Sequence, residues 1–300
     1  MNGLLVIDKP DGMTSHDVVY RLRKITGERS IGHLGTLDPM ATGVLPMLMG
    51  KYTRLAQYFS AAEKSYSGSI RFGFATDTYD ADGEPAGPNR WPEVSAAVTL
   101  ERVRAAAARF HGEMEQMPPQ FSAKKIGGQQ AYKLAREGKP VELKPAKIRI
   151  LAFEIVALEG PEASFTISVS SGGYVRSVAH ELGQDLGCGA HLSRLRRTQA
   201  GAFTLDDAHT LEELEALAGN AGAVNAALEA VCLHPRTLLP EMPSVTADAT
   251  VLGRLRNGAQ ANLPEFSQAP LVKVFAGPRE MAGIAKRVAG TLFQPVVVMG

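Results

Sequence analysis

The chain has 300 residues, of which 45% are hydrophobic and 21% charged, enough apolar content to bury a large core; disorder, collagen and coiled coil are excluded. Lysine and arginine number 32 against 31 acidic residues, so a globally basic nucleic-acid coat is excluded while a basic face is not. Two cysteines, Cys188 and Cys232, cannot make a disulfide framework, and no apolar stretch approaches the roughly 20 residues of a membrane helix. The apolar run before Asp8 is too short for a secretory signal, so a cytoplasmic, reduced protein without membrane contact is expected.

In chain order, Leu4 to Ile7 reads as a short buried strand. Thr14-Ser15 offers an N-cap to a helix with Val18, Val19, Leu22 and Ile25 at helical spacing, which Gly27 ends. Residues 30–50 combine glycines, two prolines and few charges, and read as a long irregular segment that must still pack, a kind of loop that is usually functional. Tyr66, Ile70, Phe72 and Phe74 alternate as in a half-buried strand, closed by the acidic turn Asp77 to Gly83.

Helices are expected at Leu100–Phe110 and at Gln129–Arg136, the second stopped by Gly138 and Pro140. Lys147 to Leu158 and the alternating Phe165, Ile167 and Val169 read as paired strands. Ser171-Gly172-Gly173 then turns into a helix carrying Val175, Val178, Leu182 and Leu186 on one face. Thr210 and Glu213 form a capping box before an acidic helix, and the prolines between Cys232 and Pro243 mark a domain boundary. Beyond it Asp248 caps a short helix to Arg256, and Leu271–Phe275, Met281–Val288 and Phe293–Val298 read as strands of a small β-rich unit.

The near-zero net charge hides an uneven distribution. Lys124 to Arg149 holds eight basic residues against Glu137 and Glu142, whereas Thr204 to Ala230 holds six acidic residues and no lysine or arginine. A run of this kind is either a solvated face or a phosphate-binding one, and charge alone leaves both open.

Several motifs fail. Gly50-Lys51-Tyr52-Thr53 lacks the glycine spacing and the hydroxyl residue of a phosphate loop, and Asp77 to Gly83 fits the calcium-loop pattern in neither register. Cys188 and His191 supply at most two metal ligands, and no dinucleotide fingerprint opens a helix after a strand. What survives is Gly32 to Leu45, where one carboxylate, Asp38, sits in a glycine-rich apolar loop stiffened by Pro39. Such an Asp can be a nucleophile or base if a cation keeps it ionised in a dry pocket. An Asx-turn before proline is the commoner role, and the loop alone favours it. A phosphatase-type nucleophile would need an acidic residue where Met40 stands.

Four separated blocks resemble the TruB-type tRNA pseudouridine synthases, the bacterial pseudouridine-55 enzymes of the T arm. They are Asp8 to Ser15, Gly32 to Gly43, Lys64-Ser65-Tyr66 with Gly73 and Thr76 to Gly83, and Gly173 to Ser177 followed by Leu182-Gly183 and Gly187 to Leu192. Gln116 to Lys125 and Ala135 to Gly138 extend the match, which covers about residues 1 to 235 in the expected order.

The resemblance implies an isomerisation: the C1′–N1 bond of a uridine breaks, the base turns, and C5 bonds to C1′. Redox state is unchanged, so neither cofactor nor metal is implied. The family's catalytic Asp falls on Asp38, which would attack C1′ or remove the 2′-proton. Arg176 matches the arginine that pairs with it, and Tyr66 the tyrosine that stacks on the uracil and assists loss of the C5 proton. Tyr174 and Leu195 match pocket-lining positions, His33 the histidine that fills the gap left by the flipped base, and Lys9 and Asp80 supporting positions. Read without the resemblance, Arg176 is a helix-start arginine, Tyr66 the edge of its strand's apolar stripe, Tyr174 and Leu195 core, and His33 a loop histidine satisfied by backbone. The basic stretch matches an insertion, at about 112–149, that grips the T arm, with Arg194, Arg196 and Arg197 flanking the pocket on the same side.

Two positions depart from the pattern: Ser170 where many relatives have Cys, and Gly173 where they usually have Thr. The fold implied is α+β, a mixed and mainly antiparallel sheet with flanking helices over 1–237, followed at 243–300 by a small β-rich unit resembling the PUA RNA-binding module. The expected partner is the T arm of tRNA, with no protein partner required and a monomeric enzyme. Two rivals remain: a tRNA-folding chaperone whose chemistry is dispensable, and a guide-RNA-dependent relative, for which no accessory-protein feature is present.

Overall fold

The computed structural model describes residues 1–122, 125–126, 129–130, 143–219 and 224–299. Most of the basic stretch therefore lies outside the described residues, as does all but the start of the helix expected at Gln129–Arg136. That start is a strand, β7, rather than a helix.

Strands β1 (Gly3–Lys9), β2 (Ile31–His33), β3 (Ala41–Met49), β4 (Lys64–Phe72), β5 (Gly112–Gln116), β8 (Ala146–Glu159), β9 (Glu162–Val169), β10 (Ala190–Ala200), β11 (Phe203–Thr204) and β12 (Ala208–His209) form one sheet. Its order is β12-β1-β3-β10-β4-β9-β8-β5, with β11 on β10 and β2 on β3. Only β1/β12 and β3/β10 run parallel, so the sheet is mixed and mainly antiparallel, as expected. A short hairpin, β6 (Lys125–Ile126) and β7 (Gln129–Gln130), stands apart from it.

The helices are α1 (Ser15–Thr26), the single turn α2 (Trp91–Val94), α3 (Leu100–Ala107), α4 (Val175–Asp185), α5 (Leu211–Gly219) and α6 (Val224–Val231). Their ends follow the sequence signals. Thr14 and Asp17 close a capping box on α1, and Gly27 ends it in the left-handed conformation. Thr210 and Glu213 exchange the same pair of bonds at α5.

The period-2 alternation of the strands sorts the core onto two faces. Leu5, Ile7, Leu45 and Met47 join Val18, Leu22, Val178, Leu182 and Leu211 of the helices. Leu4, Val6, Val44 and Leu48 face the other way, where they join Phe275, Met281, Ile284 and Val297. The latter residues belong to a second, five-stranded sheet, β13 (Ser244–Thr246), β14 (Ala261–Asn262), β15 (Leu271–Ala276), β16 (Glu280–Ala289) and β17 (Leu292–Val298), in the order β13-β15-β16-β17-β14. One helix, α7 (Ala249–Arg256), packs on it, capped by Asp248 as expected.

Residues 30–50 correct the expectation of a long irregular segment: only the stretch from Leu34 to Met40 is irregular, and β3 runs straight through Pro46. Pro46 is tolerated because its carbonyl, and with it the side on which its N–H is missing, faces away from β1 toward the amide of Leu34. On that side β10 shares the ladder with β3 only over residues 41 to 43 and β2 only over 47 to 49, so Pro46 falls between the two and no ladder bond is lost. The described helices include none long and apolar enough to cross a membrane.

Candidate active site

Three adjacent strands fix the site. In one row across the sheet Gly43 of β3, Arg197 of β10 and Tyr66 of β4 are register partners; two rows along, and so on the same face, stand Ala41, Leu195 and Gly68. The Leu34–Met40 loop leads into this edge of β3, so its Asp38 is delivered beside Tyr66 and Leu195. Gly43 is required there: at φ +97, a Cβ would come within 2.2 Å of the Arg197 carbonyl oxygen.

The loop is clamped from below. The Ser15 hydroxyl accepts from the Leu37 amide at 2.8 Å and lies 3.1 Å from the Leu37 carbonyl, while the Gly12 amide donates to Pro39. Lys9, at the end of β1, is fully buried, and its Nζ donates to the carbonyls of Pro10, Met13 and Pro39. Desolvation lowers its ammonium to a pKa of about 8. The Asp38 carbonyl closes the turn onto the Ala41 amide, but its carboxylate leaves the loop altogether.

That carboxylate meets Arg176, the second residue of α4. Arg176 Nε stands 2.9 Å from Asp38 Oδ2, and Nη2 donates to Oδ1 at 3.2 Å. The Asp38 side chain is 34% exposed, open to the pocket, whereas Arg176 is 5% and Asp80 4% exposed. Arg176 Nη1 donates to Asp80 Oδ2 and to the Thr78 carbonyl, both at 3.0 Å, and Nη2 also reaches the Phe121 carbonyl. Asp80 is itself held by the Thr78 hydroxyl at 2.6 Å and the Asp82 amide. The acidic turn that fails as a calcium loop is thus a socket for the guanidinium. Burial pushes the Asp38 carboxyl above its ordinary value, opposed by Arg176 and reinforced by Asp80 and Asp82.

Asp38, Arg176, Tyr66, Tyr174, Leu195 and Lys64 line one pocket of about 450 Å³. This is within the roughly 300–1,000 Å³ typical of small-ligand sites. Burial raises the Tyr66 phenol above its ordinary pKa, with Arg197 opposing, so it enters as a neutral hydroxyl near pH 7. Tyr174 is raised for the same first reason.

The TruB family pseudouridylate synthase N-terminal domain matches residues 23–175, and the tRNA pseudouridylate synthase B C-terminal domain matches 176–236. The chain belongs to the TruB family of pseudouridylate synthases. It is 44% identical to the tRNA pseudouridine synthase B of Solibacter usitatus over the whole of both chains. To the protein of that name from Aquifex aeolicus it is 37% identical, covering 97% of this chain and 98% of the relative. Its fold is also similar to a solved H/ACA RNP bound to a substrate RNA containing 2′-deoxyuridine, with a TM-score of 0.69 at 22% identity over 99% of this chain and 85% of that one.

In this TruB-family chain, six expected site residues are brought together or packed beneath the pocket: Asp38, Arg176, Tyr66, Tyr174 and Leu195 as its walls, and Lys9 below the loop. Asp80 stands behind Arg176. His33 is different: it ends β2, outside the pocket walls, with a partly buried ring and an Nδ1 lacking a bonding partner. The three arginines do not share a side as expected. Strand alternation turns Arg194 and Arg196 away from Leu195, Arg196 pairing with Asp8 at 2.7 Å, while Arg197 is fully buried beneath the loop. Two residues were given no role from sequence. Lys64 lines the pocket, and Gln116 clamps Tyr174 by accepting from its amide at 2.8 Å and donating to its carbonyl at 3.0 Å. Gln116 stands in a matched block, but its burial at the end of β5 is visible only in the folded chain.

Proposed function

We propose that this chain converts a uridine of the tRNA T loop into pseudouridine, as a monomer in the cytoplasm and without a protein partner. The observation that carries the reading is the Asp38 carboxylate, gripped by Arg176 and opening onto a pocket walled by Tyr66, Tyr174 and Leu195. The tRNA comes from the names of the relatives.

A uridine must leave the T-loop stack before any protein group reaches C1′. Tyr66 and Tyr174 supply aromatic faces and Leu195 an apolar one, the wall composition that suits a flipped pyrimidine. His33, at the rim of the same loop, fills the gap left in the RNA. Asp38 then attacks C1′ or removes the 2′-proton; either route breaks C1′–N1 and leaves the uracil free to turn. C5 bonds to C1′ as the Asp38–C1′ bond breaks on the first route or the proton returns to C2′ on the second; the C5 proton is then lost and N1 gains one, so the substrate's own bonds account for every electron. Tyr66, a phenol rather than a phenolate at neutral pH, stacks on the base and helps the C5 proton leave.

Around this centre, residues 1–237 form the synthase unit, with the basic insertion at about 112–149 gripping phosphates. Residues 243–300, which build the second sheet, form a PUA-like RNA-binding unit. The test is release of tritium from C5-labelled uridine in an unmodified T-arm transcript by the wild-type protein and Asp38→Asn, with RNA binding measured alongside. The reading expects both to bind and only the wild type to release label. Binding without release by either, on this RNA and on whole tRNA, would favour a folding chaperone.

A further inference from the structure

Arg197, like Lys9 beneath the same loop, is a charged side chain with no exposed surface. Its Nε donates to the Val44 carbonyl at 2.6 Å and its Nη2 to the Gly35 carbonyl at 3.0 Å. Among the described residues no carboxylate forms a salt bridge with it. Burying a guanidinium against neutral carbonyls alone costs several kcal/mol, and an apolar side chain would fill the space without that cost. Its two carbonyls also lie on either side of Asp38, one near the start of the loop and one in β3 just past its end.

The third nitrogen, Nη1, is buried without an aligned acceptor. It lies beside Gly35, where an added Cβ would be 3.5 Å from it. Tyr66 is the register partner of Arg197 across β4 and β10, so the two side chains leave the sheet on the same face, and the guanidinium's charge acts on the phenol.

We propose that Arg197 is a positioning residue of the isomerisation: one edge of its guanidinium pins both flanks of the Asp38 loop while the other orients the Tyr66 hydroxyl against the base. This rests on the synthase reading above. It touches no substrate atom; it sets the distance between the Asp38 carboxylate and the stacking ring, and it biases the Tyr66 proton by charge, drawing down a phenol that burial raises. Misplacing either group by about 1 Å is enough to cost on the order of a hundredfold in rate.

The test compares Arg197→Met and Arg197→Lys, each with Tyr66 intact and with Tyr66→Phe, by tritium release, T-arm binding and thermal melting. In parallel, 3-fluorotyrosine placed at position 66 is titrated by fluorine NMR. With Arg197→Met, Tyr66 titrates at higher pH and kcat falls on the order of a hundredfold while KM stays within a few-fold. Arg197→Lys keeps the charge but loses the fork, so it displaces the titration less and restores part of kcat. In the Tyr66→Phe background the Met substitution costs markedly less, because the two residues act as a unit. The proposal is overturned if the Tyr66 titration does not move, or if the substitution costs the same factor in both backgrounds. Should Arg197→Met not fold, Arg197→Lys decides alone: a folded Lys variant with wild-type titration and wild-type kcat overturns it. The titration needs no RNA, so an inactive wild type would sink the synthase reading while leaving the Arg197–Tyr66 coupling separately measured.

Discussion

Arg176 reaches Asp38 with two nitrogens from 138 residues away in the chain, and the same guanidinium holds Asp80 on its far side. One planar fork thus joins the pocket's only described carboxylate to a buried socket. Lysine could supply the charge but not the four directions at once. Arg176→Lys should therefore retain RNA binding while tritium release falls roughly 10²–10³-fold, the scale of losing a preorganised electrostatic contact. Arg176→Ala should also lower stability by about 3–5 kcal/mol, because Asp80 is left buried without its counter-charge. Release assays and thermal melts on both variants check this; full activity in the Lys variant would show that the fork is dispensable.

The same 138-residue separation explains what could be read from the sequence and what could not. Alternation revealed β4 through Tyr66, Ile70 and Phe72, and local hydroxyl and carboxyl signals marked the caps at Thr14, Thr210 and Asp248. All of these are settled within a few residues. Asp38, read from its own loop, looked like a turn-former, because its decisive partner is remote; only the match to a known family singled it out. The glycines and prolines of residues 30–50 concealed β3, since Pro46 is compatible with a strand only because it falls between the stretches paired with β10 and with β2. Arg197 hid for a third reason. Strand periodicity says which face a side chain takes, but nothing in it says that a guanidinium will be accepted inside.

The Asp38 carboxyl is raised, chiefly by burial, and the sign of its pH dependence follows. A carboxylate with an elevated pKa needs a higher pH to ionise, so the acid limb of kcat/KM should lie above the ordinary Asp range near pH 4. Weakening the cation in Arg176→Lys should move that limb to still higher pH. Stability responds in the opposite sense: the folded state holds the proton more tightly than the unfolded chain, so it loses stability as pH rises from the unfolded pKa through the folded one. Asp38→Asn should accordingly melt higher than the wild type at neutral pH, with the difference vanishing in acid. Melting curves across pH test it, and an Asn variant less stable at pH 7 would contradict the direction.

Two glycines with similar backbone conformations should answer differently to a methyl group. Gly12 has φ +76 and open space around its absent Cβ, so Gly12→Ala should cost only the left-handed strain, about 1 kcal/mol. Gly43 has φ +97 and a backbone oxygen at 2.2 Å, in the row that carries Arg197 and Tyr66. Gly43→Ala must push β3 away from β10, and should cost several times more stability and most of the activity. Parallel denaturant titrations and release assays would show the contrast; equal effects would mean that the sheet absorbs the methyl.

Lys273 offers a test away from the pocket. It is buried in β15, and its Nζ donates to the carbonyls of Arg236 at 2.8 Å and Leu238 at 2.6 Å. These carbonyls belong to the segment that leads from the first sheet into the second, and desolvation lowers the lysine's pKa from its ordinary value. Lys273→Met keeps the length and apolar stem of the side chain but leaves both carbonyls without their donor. Removing the burial cost of the ammonium offsets part of the loss, so a net destabilisation of about 2–3 kcal/mol is expected. Because Lys273 forms no part of the pocket wall, tritium release measured well below the melting temperature should stay at the wild-type rate. A lowered melting point with unchanged release would mark Lys273 as a structural tie between linker and sheet. Lost release in a fully folded variant would instead mean that the second sheet acts on catalysis through this contact.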